Sequence, residues 1–200
     1  VMVRHGQSEA NIVQHAQKLG QKIDLESKVE SRADWRQRLS PEGRNQAERA
    51  RRELSKIYGG LDFFDSKYSS PFIRARETAA ILSGENRHFW KIDDLVSERN
   101  WGVFGRVSMD ERAEHFSLTM KYLYNDPFFM RFDGGESIFD VYLRFRTFSE
   151  RLKREDGNQN VLIVSHKQLI QSACYFIEGF LPEQWNDTTR RHIYDVPNLG

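Results

Sequence analysis

Asn160-Val161-Leu162-Ile163-Val164-Ser165, with the segment Lys167–Glu178 behind it, decides the architecture. A short, all-apolar, β-branched run carries no in/out alternation, so it predicts a strand buried on both faces. Past His166 the period changes: Leu169, Ile170, Ala173, Cys174 and Ile177 recur at helical spacing, and Gly179 stands where a helix C′ residue belongs. The unit is a strand, a short turn and a helix.

The same grammar recurs upstream. Ser40-Pro41 has the form of an N-cap and first helical residue, with Ala47, Ala50, Leu54 and Ile57 as the inner stripe and Gly59-Gly60 as the stop. A strand-like stretch, Phe63–Ser69, leads to a second such pair, Ser70-Pro71, and to a helix carrying Ile73, Thr78, Ala79 and Leu82 before Gly84. Val1–Val3 has the character of the tail of a first strand. Strands alternating with helices predict an α/β fold with a mainly parallel sheet. Two stretches fit less well: Val13–Trp35, a polar excursion with one helix, and Met109–Asp133, whose aromatic part, Phe116–Phe132, is suited to covering a pocket. No repeat or linker divides the chain, so a single domain over residues 1–200 is expected.

Composition narrows the function classes. Lys and Arg total 30 against 29 Asp and Glu, a net charge of +1 that excludes a polybasic nucleic-acid binder and an acidic tail protein. The mean hydropathy of −0.69 is polar, yet 14 Phe, 7 Tyr and 4 Trp supply the large apolar side chains a disordered chain lacks. The single cysteine, Cys174, forbids an intrachain disulfide and removes the Cys-rich zinc classes. No apolar run approaches the about 20 residues that span a bilayer, and the N-terminus lacks a secretory h-region. A cytoplasmic protein without membrane contact is expected, in a trimmed form because the chain begins at Val1.

In open α/β sheets ligands gather at the carboxyl ends of strands. Arg4-His5-Gly6 follows the first strand, Ser165-His166 ends the late one, and Arg74 lies on the first turn of the helix after a third. Two arginines, two histidines and a helix N-terminus at one point make an anion site suited to a phosphate. A free imidazole there can attack phosphorus, and Glu98, in Ser97-Glu98-Arg99-Asn100-Trp101-Gly102, is the best-placed acid for the leaving oxygen.

The ordered set Arg4-His5-Gly6, Leu39-Ser40-Pro41-Glu42-Gly43 with Gln46-Ala47, Ser70-Pro71-x-x-Arg74-Ala75-x-x-Thr78-Ala79, Glu98-x-x-x-Gly102, Gly135-Glu136-Ser137 and Val164-Ser165-His166 resembles the histidine phosphatase superfamily, the phosphoglycerate-mutase-like group. Val196-Pro197-Asn198 is a weaker echo. The resemblance implies a three-layer α/β/α domain with a small helical cap, placed in the segments near 13–35 and 109–133. It implies that His5 is phosphorylated, that Arg4 and Arg74 bind the phosphoryl oxygens, and that His166 stabilises their charge. Glu98 becomes general acid and then base, Asn11 lines the phosphate site, and Lys167, where many members carry Gly, adds a charge at the substrate's edge. Neither metal nor cofactor is implied, since the arginines and histidines supply the positive charge. The expected partner is a small phosphorylated metabolite or other phosphomonoester, with a homodimer left open and no nucleic acid.

The implied activity is that of a histidine phosphatase-type phosphoric monoester hydrolase. A cofactor-dependent phosphoglycerate mutase is the alternative, although Met109–Asp133 is short and lacks the paired arginines that would grip a second anion. A catalytically silent binding module is the other. Gln7, Glu77 and a lengthened segment between His5 and Leu39 also depart from the family pattern. Glu136 is expected to cap a helix or orient the pocket and not to react. His15, His88, His115 and His192 have no ligand spacing, Arg49, Arg51 and Arg52 belong to a solvated helix face, and Tyr122, Tyr124, Phe128, Phe129 and Phe132 are expected to pack.

Overall fold

The computed structural model describes residues 1–86, 88–106, 114, 116–155, 157, 159–186, 197 and 198. The decisive apolar run is strand β4 (Val161–Ser165). It lies between β1 (Met2–Arg4) and β2 (Ser66–Ser69), with β3 (Lys91–Ile92) outside β2. All three pairings are parallel. Their register sets Arg4 opposite Ser165 and Ser69 opposite Val164, so three strands end level with one another.

The absence of alternation in β4 has its reason in the layers on either side. Val3, Leu162 and Val164 face one layer, α3 (Pro41–Tyr58) and α4 (Ile73–Ser83), through Leu54, Ala75, Ala79 and Leu82. Tyr68 and Ile163 face the other, helix Ile138–Glu155 (α6) and helix Lys167–Glu178 (α7), through Val141, Phe145, Phe148, Leu169 and Ala173. The result is the three-layer α/β/α architecture. The remaining α-helices given bounds among the described residues are α1 (Glu9–Lys18), α2 (Leu25–Glu30), α5 (Ser117–Asn125) and α8 (Pro182–Asn186).

Helix punctuation is where expectation and structure part. The Ser40 hydroxyl caps α3 at the Gly43 N–H (2.9 Å), and Gly59 ends it at φ 78°. Ser70, by contrast, does not cap α4, which starts at Ile73 behind Phe72. Its N–H bonds to Val164 O at 3.0 Å, which extends the sheet through Ser70 and delays the helix. Ile57 and Ile177 are 67% and 65% exposed, because the apolar stripe outruns the core in the last turn of each helix. The polar excursion holds two helices, not one. A reciprocal cap between Ser8 and Asn11 starts α1 at Glu9, and α2 follows.

Of the second excursion, residues 109–113 and 115 lie outside the described residues. Phe128 and Phe132 are buried there as expected, Phe132 stacked on Phe104 at 4.3 Å, but Tyr122, Tyr124 and Phe129 are exposed. Among the described residues no helix is long and apolar enough to cross a membrane.

Candidate active site

The level strand ends bring His5 and His166, 161 positions apart in the chain (166 − 5), to a ring separation of 5.0 Å. The His5 N–H donates to Ser165 O at 3.0 Å, a ladder bond continued one residue past β1. The following turn is pressed against the N-terminus of α3, where Ser40 N–H donates to Gln7 O at 2.9 Å. A Cβ on Gly6 would lie 2.2 Å from Gly43 O, so only glycine permits this approach.

The two ring nitrogens of His5 have partners of opposite kind. Nδ1 lies 2.7 Å from Gly6 O, and a carbonyl only accepts. Nε2 accepts from Arg74 Nε at 3.2 Å, and a guanidinium only donates. Both constraints put the proton on Nδ1 and leave the lone pair on Nε2. Burial, then the Arg74 charge, holds the imidazole well below the ordinary histidine value of 6.5, against the opposing Gly6 bond. His5 is thus a neutral imidazole with its lone pair on Nε2.

His166 is fully buried, with Nε2 2.8 Å from Ser70 Oγ. With the hydroxyl donating to Nε2, Nδ1 carries a proton that no described residue accepts. Burial, followed by Arg74, His5 and Arg4, lowers its pKa well below the usual range. Phe72 backs both groups, its ring 5.0 Å from that of His166 and 4.9 Å from the Arg74 guanidinium carbon. Arg74 is itself buried and also reaches Asp34. Arg4, the last residue of β1, acts on His5, His166 and Glu98 through its charge.

Glu98 follows the 3-10 turn Asp94–Val96. Burial raises its pKa, while the Arg99 N–H on Oε1 (3.0 Å), Arg74 and Arg4 pull the other way and Asp34 adds to the rise. The loop is fixed from two sides. The Ser165 hydroxyl donates to Val96 O at 2.6 Å. Arg144 of α6 donates to Leu95 O at 2.8 Å, Ser97 O at 3.0 Å and Glu98 O at 3.4 Å. Arg144 is in turn held by the Glu136 carboxylate (2.9 Å), which also accepts the Asn100 N–H at 2.8 Å.

Glu136 therefore orients the pocket. Arg144 was missed in the sequence, though an arginine beside the buried Val141, Phe145 and Phe148 is an available signal. Of the remaining expected residues, Asn11 spends Oδ1 on the Ser8 cap and on Asn198 Nδ2 (3.2 Å), leaving its own Nδ2 as the amide's donor. Lys167 is the first residue of α7, directly after His166. Glu9 is tied to Lys28 and Arg32. His115, His192 and Val196 lie outside the described residues. Among the described residues no three His, Cys, Asp or Glu side chains are grouped as a metal site requires.

These shifts have a kinetic signature. A nucleophilic His5 must be neutral, so kcat/KM falls with acidity only as pH drops through its lowered pKa, well below 6.5. An acid at Glu98 must be protonated, so the rate on an alkyl phosphate declines as pH rises through its raised pKa. The profile is to be corrected for the substrate's own ionisation near about 6. An acid limb at or above 6.5 contradicts the neutral buried imidazole.

A protein-family model described as the histidine phosphatase superfamily (branch 1) matches residues 1–193. The chain is 30% identical over its full length to phosphoserine phosphatase 1 of Hydrogenobacter thermophilus, covering 85% of that protein. It is 26% identical to the 2,3-bisphosphoglycerate-dependent phosphoglycerate mutase of Bartonella bacilliformis, over 92% of this chain and 83% of the relative. Among solved structures, the α-ribazole phosphatase of Shigella flexneri superposes with a TM-score of 0.72 over 92% of this chain and 81% of its own, at 20% identity.

Proposed function

The chain belongs to the histidine phosphatase superfamily (branch 1) and is a phosphoric monoester hydrolase, and we propose that it works through a phosphohistidine on His5. The observation that carries this reading is the pair of bonds that fixes the Nε2 lone pair beside Arg74. Nε2 attacks phosphorus as the bond to the leaving oxygen breaks, and Glu98 transfers its proton to that oxygen. The Glu98 carboxylate then takes a proton from water, whose oxygen attacks phosphorus and breaks the N–P bond. Inorganic phosphate leaves, and His5 and Glu98 return to their starting states.

Arg4, Arg74 and, with Ser70 donating to Nε2, the neutral Nδ1–H of His166 hold the phosphoryl oxygens, and the two arginine charges favour the more anionic transition state. The Asn11 amide lines the phosphate site, and Lys167 adds a charge at the pocket's edge. The segment near 13–35 and the described part of 109–133, residues 114 and 116–133, are the proposed cap, and a cytoplasmic small phosphorylated metabolite is the proposed substrate class. Phosphoserine, the substrate in the relative's name, belongs in the assay panel.

A mutase would share the intermediate and return the phosphoryl group to substrate. Incubation with a panel of phosphomonoesters, and with 3-phosphoglycerate plus 2,3-bisphosphoglycerate, separates the outcomes. Release of inorganic phosphate is expected. Interconversion of phosphoglycerates instead means a mutase, and no turnover at any pH means a silent binding module.

A further inference from the structure

The Arg74 guanidinium, the group read above as a phosphoryl ligand, is already occupied by an anion from its own chain. Nε donates to His5 Nε2. NH1 donates to the Asp34 backbone carbonyl at 2.7 Å and to Asp34 Oδ1 at 3.1 Å, and NH2 donates to Oδ2 at 3.3 Å. A guanidinium owns five N–H donors, and these contacts use four. A phosphoryl group arriving beside His5 therefore meets an arginine whose fork is closed by a carboxylate.

Asp34 and Arg74 differ in how firmly they are held. The Arg74 side chain is 6% exposed and the Asp34 side chain 59%. Asp34 sits on the 3-10 turn Asp34–Arg36, in a segment bonded mainly to itself and to α1. Gln37 Nε2 donates back to Val29 O (2.8 Å) and Arg32 O (3.2 Å), while Lys28 and Arg32 pair with Glu9. The segment follows Gly20 at φ 67° and ends where Glu9 N–H bonds Arg38 O at 2.9 Å. Its reach into the site is made through Asp34, and the exposed carboxylate can turn to water where the buried guanidinium cannot.

We propose that Asp34 is an intramolecular competitor for the phosphoryl group. Its carboxylate occupies the Arg74 fork in the free enzyme, yields it when a phosphomonoester binds, and returns to displace inorganic phosphate. The inference rests on Arg74 as a phosphoryl ligand. Both anions use the same planar fork, so they exclude one another. The competing pair is partly solvated, which limits the effect to about two- to fivefold in affinity.

The test is calorimetric titration of inorganic phosphate into the wild type, Asp34→Asn, Asp34→Ala and Arg74→Ala. Both Asp34 variants are expected to bind phosphate about two- to fivefold more tightly, with KM for an alkyl phosphate falling by a similar factor. The saturating pre-steady-state rate is to be read on the acid side of the alkaline limb, because Asp34 also adds to the raised pKa of Glu98, and is expected there to stay at the wild-type value. Unchanged or weaker phosphate binding in both Asp34 variants, with Arg74→Ala still abolishing it, overturns the competition alone. Wild-type affinity in Arg74→Ala removes the phosphoryl-site reading itself. A loss of pre-steady-state rate in Asp34→Asn at unchanged affinity overturns the proposal, since the carboxylate would then serve the chemistry.

Discussion

His5→Ala is expected to lower kcat/KM on any phosphomonoester by about 10⁴-fold or more, because among the described residues no second group is placed for the attacking role proposed for His5. His166 is the nearest other imidazole, but Ser70 engages its Nε2 at 2.8 Å. Binding is expected to suffer far less. The variant keeps Arg74 and Arg4, and it frees the Arg74 Nε that His5 otherwise engages. Inorganic phosphate should therefore bind within about tenfold of the wild type. Steady-state assays with titration of phosphate check both halves, and a rate within tenfold of the wild type contradicts the assignment of the nucleophile.

Glu98→Gln should produce the second largest loss, one that depends on the leaving group. Glutamine keeps the size of the side chain but carries no transferable proton. General acid catalysis is worth about 10²- to 10⁴-fold, and an alkyl phosphate should lose that much in the burst that forms the phosphoenzyme. An aryl phosphate with a good leaving group should lose far less in that step. Its dephosphorylation should still slow, because the proposed mechanism has the same carboxylate activate water, so bursts and not steady-state rates must be compared. The raised pKa of Glu98 supports the acid role, and the alkaline limb of the pH profile should vanish in this variant. Equal burst losses for both leaving groups would show that Glu98 only positions the pocket.

Strand β4 was legible because burial on both faces erases alternation, and the Lys167–Glu178 helix because its stripe and Gly179 agree. The juxtaposition of His5, His166 and Arg74 was legible from their common place at strand ends, which parallel pairing makes level. What failed was local signal overruled by distant contact. Ser70-Pro71 has the form of a helix start, but Ser70 is drawn into the sheet by Val164 O and towards His166. Arg144 acts through backbone carbonyls some forty-five to fifty residues away, at Leu95, Ser97 and Glu98, and carbonyls leave no trace in a sequence. Asp34 was hidden for a similar reason. An aspartate in a polar segment looks solvated until Arg74 is placed beside it.

The isomer of phosphohistidine formed on the wild type tests the account most directly. Nδ1 is committed to Gly6 O at 2.7 Å, so phosphorus can bond only at Nε2. Rapid quenching of the enzyme with a phosphomonoester into alkali, followed by peptide mapping and ³¹P NMR, is expected to give a base-stable, acid-labile phosphoryl group on Nε2 of His5. A phosphoryl group on Nδ1, on Ser8 or Ser70, or on His166 would contradict it.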